Sequence, residues 1–483
     1  MNGLNFAQSA AILTAVFKQA TGQNAITPVN SDEFVSMAQT TLQTGYNNVM
    51  ESLSIVLTRT FFSVRPYSRK LKGLRRDAQK WGNHVRKITF LDQDMDTTND
   101  QYNLTDGESL DPFVIKKPKA VQMNFYAGET HSDHITRFEN QIDTALSSPE
   151  EFGAFVTACM QELSDKFTQI DESADRLLVC NLIAGKQKAD SGNVISLLTE
   201  YYNETGTYLV NDVSDSRHYA NKANIDDFSK WVAGYINTIS DKMTNRTIKY
   251  HMNLSSNRNI PRHTPKQYQN LYVYSPVING VKTRVLSNTF NEGLVRIGTY
   301  EEVDYWQSFN TPDQVKVKPA YIDANGEEVN GASSANTTVN NVFAVLFDDD
   351  CIGSTIIDTR SGSIYNPRGA YFNLFMKWTR RYYEDLTENC VVFLLSQTAQ
   401  DPSVMAVSPT TLSIAKGSSK TVTVTYPQGT VSVSATGTGI SASYSADTGK
   451  VTVAVAADAS AETGTVEITD TVTTKTVTVT VTT

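Results

Sequence analysis

A single stripe of apolar residues at helical spacing constrains the fold of this 483-residue chain more than any other feature. Ser148, followed by Pro149 and Glu151, supplies an N-cap, a favoured first-turn proline and a capping-box acid. With Gly185 as its stop signal, the stripe predicts a helix roughly 54 Å long at 1.5 Å per residue. Globular helices average roughly 11 to 12 residues, so this helix is a spine for the fold. The stripe consists of Phe152, Phe155, Val156, Cys159, Met160, Leu163, Phe167, Ile170, Ala174, Leu177, Leu178 and Ile183.

A second helix and several strands predict a mixed α+β body around the long helix. Asn224 is the cap and Asp227 the capping-box acid of a second amphipathic stripe, which runs from Phe228 to Met243. Both stripes are interpreted as core-facing surfaces. Short apolar runs and Asn-Gly turn signals predict strands and hairpins. The runs lie at residues 271–277, 342–347 and 391–395, and the turn signals at residues 279–280, 325–326 and 330–331.

The composition changes near residue 403, which predicts a separate C-terminal domain. Residues 404–483 consist mostly of Val, Thr, Ser, Ala and Gly, and their only aromatic residues are Tyr426 and Tyr444. Alternation of β-branched and polar residues predicts half-buried antiparallel strands. The opening at residues 407–418 resembles the start of a bacterial immunoglobulin-like domain, without the Cys and Trp of antibody domains.

Composition and charge exclude several classes of protein. An apolar fraction of 40% and a charged fraction of 19% are typical of a soluble protein. The net charge of -9 argues against a general nucleic-acid binder. The start of the chain lacks the features of a signal peptide, and no apolar run approaches the roughly 18 to 20 residues of a membrane span. The sequence therefore predicts a protein made in, and first acting in, the cytoplasm.

The four cysteines are far apart, and each lies in an apolar run. Such residues are expected to be buried reduced thiols rather than disulfides or metal ligands. They are Cys159, Cys180, Cys351 and Cys390.

Charges of opposite sign are segregated into two neighbouring blocks. The blocks could pair within a hairpin, pair head-to-tail between copies of the chain, or form a solvated loop without a partner. The second interpretation makes this an assembly protein. The basic block consists of Arg65, Arg69, Lys70, Lys72, Arg75, Arg76, Lys80, Arg86 and Lys87. The acidic block consists of Asp92, Asp94, Asp96, Asp100, Asp106, Glu108 and Asp111.

Candidate catalytic and metal sites are weak. The spacing of the first three acids is that of a calcium loop, but Thr97 replaces the turn Gly and Asn103 replaces the bidentate Glu. The sequence contains no nucleophile elbow, paired Cys-x-x-Cys, zinc His-Glu-x-x-His or phosphate-binding loop. His131 and His134, flanking Asp133, have no third ligand in sequence and are interpreted as ordinary surface residues. We expect no enzyme activity, cofactor or metal.

The stretch from Asn366 to Trp378, Asn-Pro-Arg-Gly-Ala-Tyr-Phe-Asn-Leu-Phe-Met-Lys-Trp, carries a family resemblance. It resembles the end of the major capsid protein of the phi-twenty-nine-like short-tailed phages. The order of elements is also similar: a basic loop, a long helix, a second helix, and an apolar strand with Asn-Thr-Phe-Asn at residues 288–291 downstream. The N-terminal arm and residues 310–339 lie outside the resemblance.

This resemblance implies the tailed-phage capsid fold of the Hong Kong ninety-seven type, with an added all-β immunoglobulin-like sandwich. The charged segment falls where that fold has an extended loop lying over the neighbouring subunit. The implied inter-subunit residues are Arg69, Lys70, Lys72, Arg75, Arg76, Lys80, Asp92, Asp94 and Asp96. Asn366, Pro367, Arg368 and Gly369 are expected to form a turn before the last core segment, with Arg368 either functional or a simple turn residue. The expected domains are an N-terminal arm (1–60), an extended loop (61–135), a capsid core (136–403) and an immunoglobulin-like domain (404–483).

The implied function is a major capsid protein that assembles into an icosahedral shell around the double-stranded DNA of a tailed phage. Its expected partners are itself, in hexamers and pentamers, a scaffolding protein, a portal protein, and DNA contacted without sequence specificity. The tail is expected to decorate the outside of the virion and to contact host surfaces or glycans weakly. The alternative is a bacterial surface adhesin with an immunoglobulin-like stalk, but no signal peptide, repeated unit or cell-wall anchor favours it.

Overall fold

The computed structural model describes residues 6–45, 48–49, 51–53, 56, 71, 74, 76, 84–90, 104–109, 113, 115, 120–255, 260–277, 299–331 and 334–482, without the side chains of residues 159–165. The chain forms two compact units. The first comprises residues 1–195 and 229–394, and the second comprises residues 196–228 and 395–483. The described α-helices are α1 (Phe6–Thr21), α2 (Ser31–Leu42), α3 (Glu139–Ala145), α4 (Pro149–Ala189), α5 (Leu197–Thr205) and α6 (Ile225–Met243).

The first unit contains a three-stranded sheet with strand order β12-β13-β3 and a mixed sheet with order β4-β14-β11-β5-β6. Its strands are β1 (Val85–Phe90), β2 (Ala120–Phe125), β3 (Gly128–Phe138), β4 (Val194–Ser196), β5 (Gln269–Tyr274), β6 (Thr299–Val303), β7 (Val315–Val317), β8 (Tyr321–Ile322), β9 (Glu328–Val329), β10 (Thr337–Val339), β11 (Val342–Asp348), β12 (Ile352–Asn366), β13 (Tyr371–Glu384) and β14 (Cys390–Leu394).

The long helix α4 begins where the sequence predicts and ends one turn later. The Ser148 side chain accepts a hydrogen bond from the backbone N–H of Glu151, and Pro149 opens the helix. The helix has 41 residues and continues past Gly185 to Ala189. Gly185 is not a stop because it serves packing: a Cβ there would lie 2.9 Å from Glu384 Oε1. Glycine lets this helix pass close to the end of β13.

The predicted second helix and core strands are also present. Helix α6 follows the expected cap Asn224, and strands β11 and β14 coincide with the apolar runs near residues 342 and 391. Every residue of β11 is buried, as expected for the centre of a covered sheet. Asn325 and Gly326 lie in the turn between β8 and β9, with Gly326 at φ +86°. The Asn-Gly signal at residues 279–280 lies outside the described residues.

Two large apolar cores form among the described residues of the first unit. One forms between the C-terminal half of α4 and the mixed sheet, around Leu182, Val345 and Phe347. The other brings α1 and α2 against the N-terminal part of α4, where the Phe34 and Phe152 rings lie 5.7 Å apart. The N-terminal helices therefore pack on their own chain.

The second unit contains a sandwich of two four-stranded sheets, with orders β15-β17-β20-β19 and β16-β22-β21-β18. Alternate residues such as Val422, Val453 and Val477 are fully buried between the sheets, which confirms the period-two prediction. The strands are β15 (Ala406–Ser408), β16 (Thr411–Ala415), β17 (Ser419–Thr425), β18 (Ser432–Thr436), β19 (Ile440–Ser445), β20 (Lys450–Val455), β21 (Thr463–Thr469) and β22 (Thr474–Thr482).

Residues 196–228 belong to the same unit as the sandwich and contact the segment that leads into it. Arg217 Nη1 lies 2.9 Å from both carboxylate oxygens of Asp401. The Arg217 guanidinium also lies over the Tyr208 ring, 5.4 Å from its centroid. The Tyr202 side chain hydrogen-bonds that of Tyr426. Residues 196–228 are thus joined to the segment before the sandwich by an ion pair, and to the sandwich itself by the hydrogen bond at Tyr426.

Among the described residues, no helix is both long and apolar enough to span a membrane. Cys180, Cys351 and Cys390 are buried free thiols, as their apolar surroundings predict.

Candidate subunit interface

Part of the charged segment forms an antiparallel pair of strands, β1 and β2. Val85 lies opposite Phe125, and Phe90 lies opposite Ala120. Along β1, partly buried residues alternate with the exposed Arg86, Ile88 and Phe90. Strand β1 contains the end of the basic block, and residues 91–119, which contain the acidic block, connect the two strands.

Lys87 fixes this pair of strands to the core of the same chain. Its Nζ lies 2.7 Å from Asp385 Oδ2 and 2.6 Å from Glu388 Oε1. Arg262 Nη1 lies 3.1 Å from the same Glu388 oxygen, so two cations face two buried carboxylates. Burial disfavours the charged amine, but the carboxylates of Asp385 and Glu388 outweigh it and raise the pKa of Lys87. Lys87 therefore stays charged and anchors β1 at neutral pH.

Arg76 makes a second attachment to the same core. Its Nη1 lies 2.7 Å from Asp349 Oδ2, and its Nε donates a 2.8 Å hydrogen bond to the Tyr383 hydroxyl. The backbone pairs as well: Arg76 N donates to Ser354 O, and Ser354 N donates to Leu74 O. Burial opposes the charge, but these partners raise the pKa of Arg76. Both Lys87 and Arg76 are thus engaged within their own chain.

The other residues expected at an inter-subunit contact lie outside the described residues. Of the acidic block, Asp106 and Glu108 are described, and both are exposed. Glu108 Oε2 accepts a 3.1 Å hydrogen bond from the Thr105 backbone N–H, and hydrogen bonds from Thr105 lower the pKa of Glu108. The expected contact residues that the structure does not describe are Arg69, Lys70, Lys72, Arg75, Lys80, Asp92, Asp94 and Asp96. The last three are also the residues whose spacing is that of a calcium loop.

The family motif forms the turn between β12 and β13. Asn366 Oδ1 accepts hydrogen bonds from the backbone N–H groups of Arg368, at 3.1 Å, and Gly369, at 3.3 Å. Asn366 Nδ2 donates a 2.8 Å hydrogen bond to the Tyr371 hydroxyl. The side chains of Pro367 and Arg368 are exposed. Asn366 therefore organises the turn, since an Asn side chain can replace a backbone acceptor.

The two candidate histidines belong to the sheet that holds this turn. The His131 ring lies 5.3 Å from the Trp378 ring, and the His134 ring stacks on Phe375 at 5.5 Å. Each ring packs on an aromatic residue of the neighbouring strand β13. Within the described residues, no group of three or more His, Cys, Asp or Glu side chains could hold a metal ion.

Buried charges join α4 to β13. Arg380 pairs with Asp171 of α4, and the side chains of both are almost fully buried. Near the end of α4, Asn181 Nδ2 donates a hydrogen bond to Glu384 Oε2. Burial raises the pKa of Glu384 to about 8. These contacts leave no local signal in the sequence, because each joins residues far apart in the chain.

The long helix packed on a three-stranded sheet, with a charged strand pair fixed to the core, agrees with the arrangement expected of a structural capsid protein. The family model for the Phi29-like phage major capsid protein matches residues 13–394. This chain belongs to that family, and it forms the shell of a phage capsid. The family match does not support the adhesin alternative.

Solved phage structures are similar at low sequence identity. The capsid of Staphylococcus phage Andhra has a TM-score of 0.46 at 9% identity, covering 69% of this chain and 86% of that chain. A head-fibre and inner-core protein structure of bacteriophage P68 has a TM-score of 0.41 at 10% identity, covering 68% and 85%. The capsid of Cyanophage P-SCSP1u has a TM-score of 0.37 at 11% identity, covering 68% and 90%. No curated protein matches the sequence.

Proposed function

We propose that residues 61–135 form an arm that joins neighbouring capsid subunits in hexamers and pentamers. The observation that carries this proposal is the asymmetry of β1. Lys87 on one side binds the core of its own chain, whereas Phe90 and Ile88 on the other side are 72% and 53% exposed. Neighbouring exposed apolar side chains are typical of a protein interface.

The fixed base gives the arm a defined direction. Lys87 and Arg76 attach it at two separate positions of the core. A strand pair such as β1 and β2, whose base is already fixed, loses less conformational entropy when a neighbour binds. A shell is then built from many copies of one modest contact, and charge complementarity determines how neighbouring subunits align.

The C-terminal sandwich decorates the outer surface of the shell. Its outward faces carry hydroxyl groups rather than large apolar side chains, which suits a surface exposed to water rather than one buried between subunits. Hydroxyl groups can also make weak hydrogen bonds to glycans or to a host surface. Exposed examples on both sheets are Thr421, Thr423, Ser443, Thr452, Thr476, Thr478 and Thr480.

The remaining partners follow from a capsid role. Packaged double-stranded DNA is contacted without sequence specificity, in keeping with the net charge of -9. A scaffolding protein and a portal protein guide assembly in the host cytoplasm, and the finished subunit resides in the virion.

Electron microscopy of the purified protein tests this function, with and without the other head proteins of the same phage and at rising salt. We expect icosahedral or tubular assemblies that loosen as salt screens charges. Ile88→Ser with Phe90→Ser should abolish them while the circular dichroism spectrum stays that of a folded subunit. The matched control is Thr476→Ser with Thr478→Ser on the sandwich. Normal shells from the arm variant would contradict the arm's role, and a wild-type protein that stays monomeric under every condition would contradict assembly.

A further inference from the structure

A long segment that begins at the end of α6 contains no acidic residue. Residues 242–291 include eight Lys and Arg residues and neither Asp nor Glu, although acids outnumber bases by 51 to 42 in the whole chain. The net charge is -9 for the whole chain and +8 for this segment, which leaves -17 on the remaining residues. Positive charge is thus concentrated in one part of an acidic protein.

Three of these cations lie close together on the surface. Lys242 belongs to the last turn of α6, and Arg246 and Lys249 belong to the loop that follows it. All three residues are exposed. No carboxylate among the described residues pairs with Lys242 or Lys249. We call these three residues the α6 patch.

Two carboxylates that contact this part of the chain already have cationic partners. Asp241 Oδ1 lies 2.5 Å from Lys266 Nζ. Glu388 Oε1 lies 3.1 Å from Arg262 Nη1. These pairs balance themselves and leave the positive charge of the α6 patch uncompensated.

The backbone beneath the α6 patch is held in place by hydrogen bonds. Thr247 and Arg262 exchange two backbone hydrogen bonds of 2.9 Å, and Thr264 N donates one of 2.7 Å to Met243 O. The Lys249 backbone N–H donates to Thr247 Oγ1 at 3.1 Å. Because the loop is already ordered, a ligand that binds its side chains pays little conformational entropy for the backbone.

We propose that the α6 patch binds the phosphate backbone of the packaged duplex DNA. The inference deepens the DNA contact proposed above and rests on it. Exposed Lys and Arg side chains neutralise phosphates whatever the base sequence. A surface of exposed lysines suits phosphates better than it suits a protein partner, because the centres of protein interfaces are depleted of lysine. The patch lets an otherwise acidic subunit hold DNA against one face, while its other faces repel DNA.

Binding of a short DNA duplex to the unassembled subunit tests the α6 patch, measured by fluorescence anisotropy over a range of salt concentrations. Lys242→Gln with Lys249→Gln should weaken binding and make the slope of log K against log salt shallower by about 2, because two phosphate contacts are lost. Lys420→Gln with Lys450→Gln removes the same charge from exposed positions of the sandwich and should keep the wild-type slope. Equal slopes in the two variants, or no binding by wild type at low salt, would overturn the proposal.

Lysine acetylation of whole particles provides a readout in the shell itself. In DNA-filled shells, Lys242 and Lys249 should be acetylated several-fold more slowly than in empty shells, whereas Lys420 and Lys450 should react equally in both. Equal rates at the α6 patch, as expected if an acidic protein covered it instead, would overturn the proposal and leave the shell function intact. Failure of wild type to form shells with its head proteins would contradict the proposed function itself.

Discussion

At the scale of single residues, the described part of this subunit buries several charged side chains, among them the pair of Arg380 and Asp171. The side chain of Arg380 is 3% exposed and that of its partner Asp171 is 6% exposed. Moving two charges out of water is costly, so such a pair adds little net stability. Removing one partner is expensive, because the other charge remains buried.

Replacing Arg380 with Met should therefore destabilise the subunit strongly. We expect the free energy of unfolding to fall by about 3–5 kcal/mol, measured by urea denaturation of the unassembled protein. Lys266→Met is the control, because Lys266 and its partner Asp241 are substantially exposed and such pairs contribute at most about 1 kcal/mol. Equal losses in the two variants would show that the burial of Arg380 does not matter.

Glu384 should give the subunit a pH-dependent stability. Its pKa is about 8 in the folded chain against an ordinary 4.5, so the folded state binds this proton more tightly than the unfolded state. The stabilisation is complete below pH 4.5 and is lost as the pH rises through 8. Glu384→Gln keeps a neutral side chain, and its stability should fall less than that of wild type as the pH rises across this window. Urea titrations of both proteins at several pH values measure the difference, and parallel curves would refute the assignment.

These residues also mark the limit of prediction from the sequence. The blocks of charge were evident, but Lys87 finds Glu388 across 301 positions of the chain. Local patterns contain no information about such partners, so the sequence could not reveal that part of the basic block is internal.

At the scale of elements, local signals predicted helix and strand starts well. The Ser148 cap marks the first turn of α4, and the apolar runs at residues 342–347 and 391–395 coincide with β11 and β14. The predicted end of α4 at Gly185 was wrong, because the absence of a side chain there serves the approach of Glu384. A glycine required by tertiary packing has the same appearance in a sequence as one required by a helix end.

The turn between β12 and β13 contains one residue with a structural role, Asn366, and one exposed residue, Arg368, that could serve assembly. Asn366→Ala removes the acceptor for two backbone N–H groups and should lower the free energy of unfolding by about 1–2 kcal/mol. Arg368→Ala should change it by less than about 0.5 kcal/mol, since the side chain is exposed. Urea denaturation measures both, and electron microscopy of the Arg368 variant then asks whether the side chain serves assembly. A large loss of stability in Arg368→Ala would make it a structural residue.

At the scale of the whole molecule, the change of composition near residue 403 correctly indicated an all-β C-terminal region. It gave no sign that residues 196–228 form one compact unit with that region. Those residues are rich in polar and aromatic side chains, like the rest of the body, and their contacts with the C-terminal part depend on the tertiary fold.

Deletion of residues 404–483 should leave shell assembly intact. The pair of Arg217 and Asp401 precedes the deletion and is retained, whereas Tyr202 loses its partner Tyr426. We therefore expect shells of normal form from a subunit with a more exposed aromatic surface, as seen by electron microscopy and by increased binding of a hydrophobic dye. Loss of shells from the folded truncated protein would make the sandwich part of the assembly machinery.

The division of the chain into units bears on its use as a carrier for foreign sequences. Because residues 196–228 and 395–483 form one unit, replacing everything after residue 403 with another protein would leave an unmatched surface around Tyr202. A peptide for display is better inserted into the exposed turn at residues 446–448, between β19 and β20. Moving the sandwich to another scaffold together with its contact at Tyr426 would require two separate gene segments, because Tyr202 lies in residues 196–228.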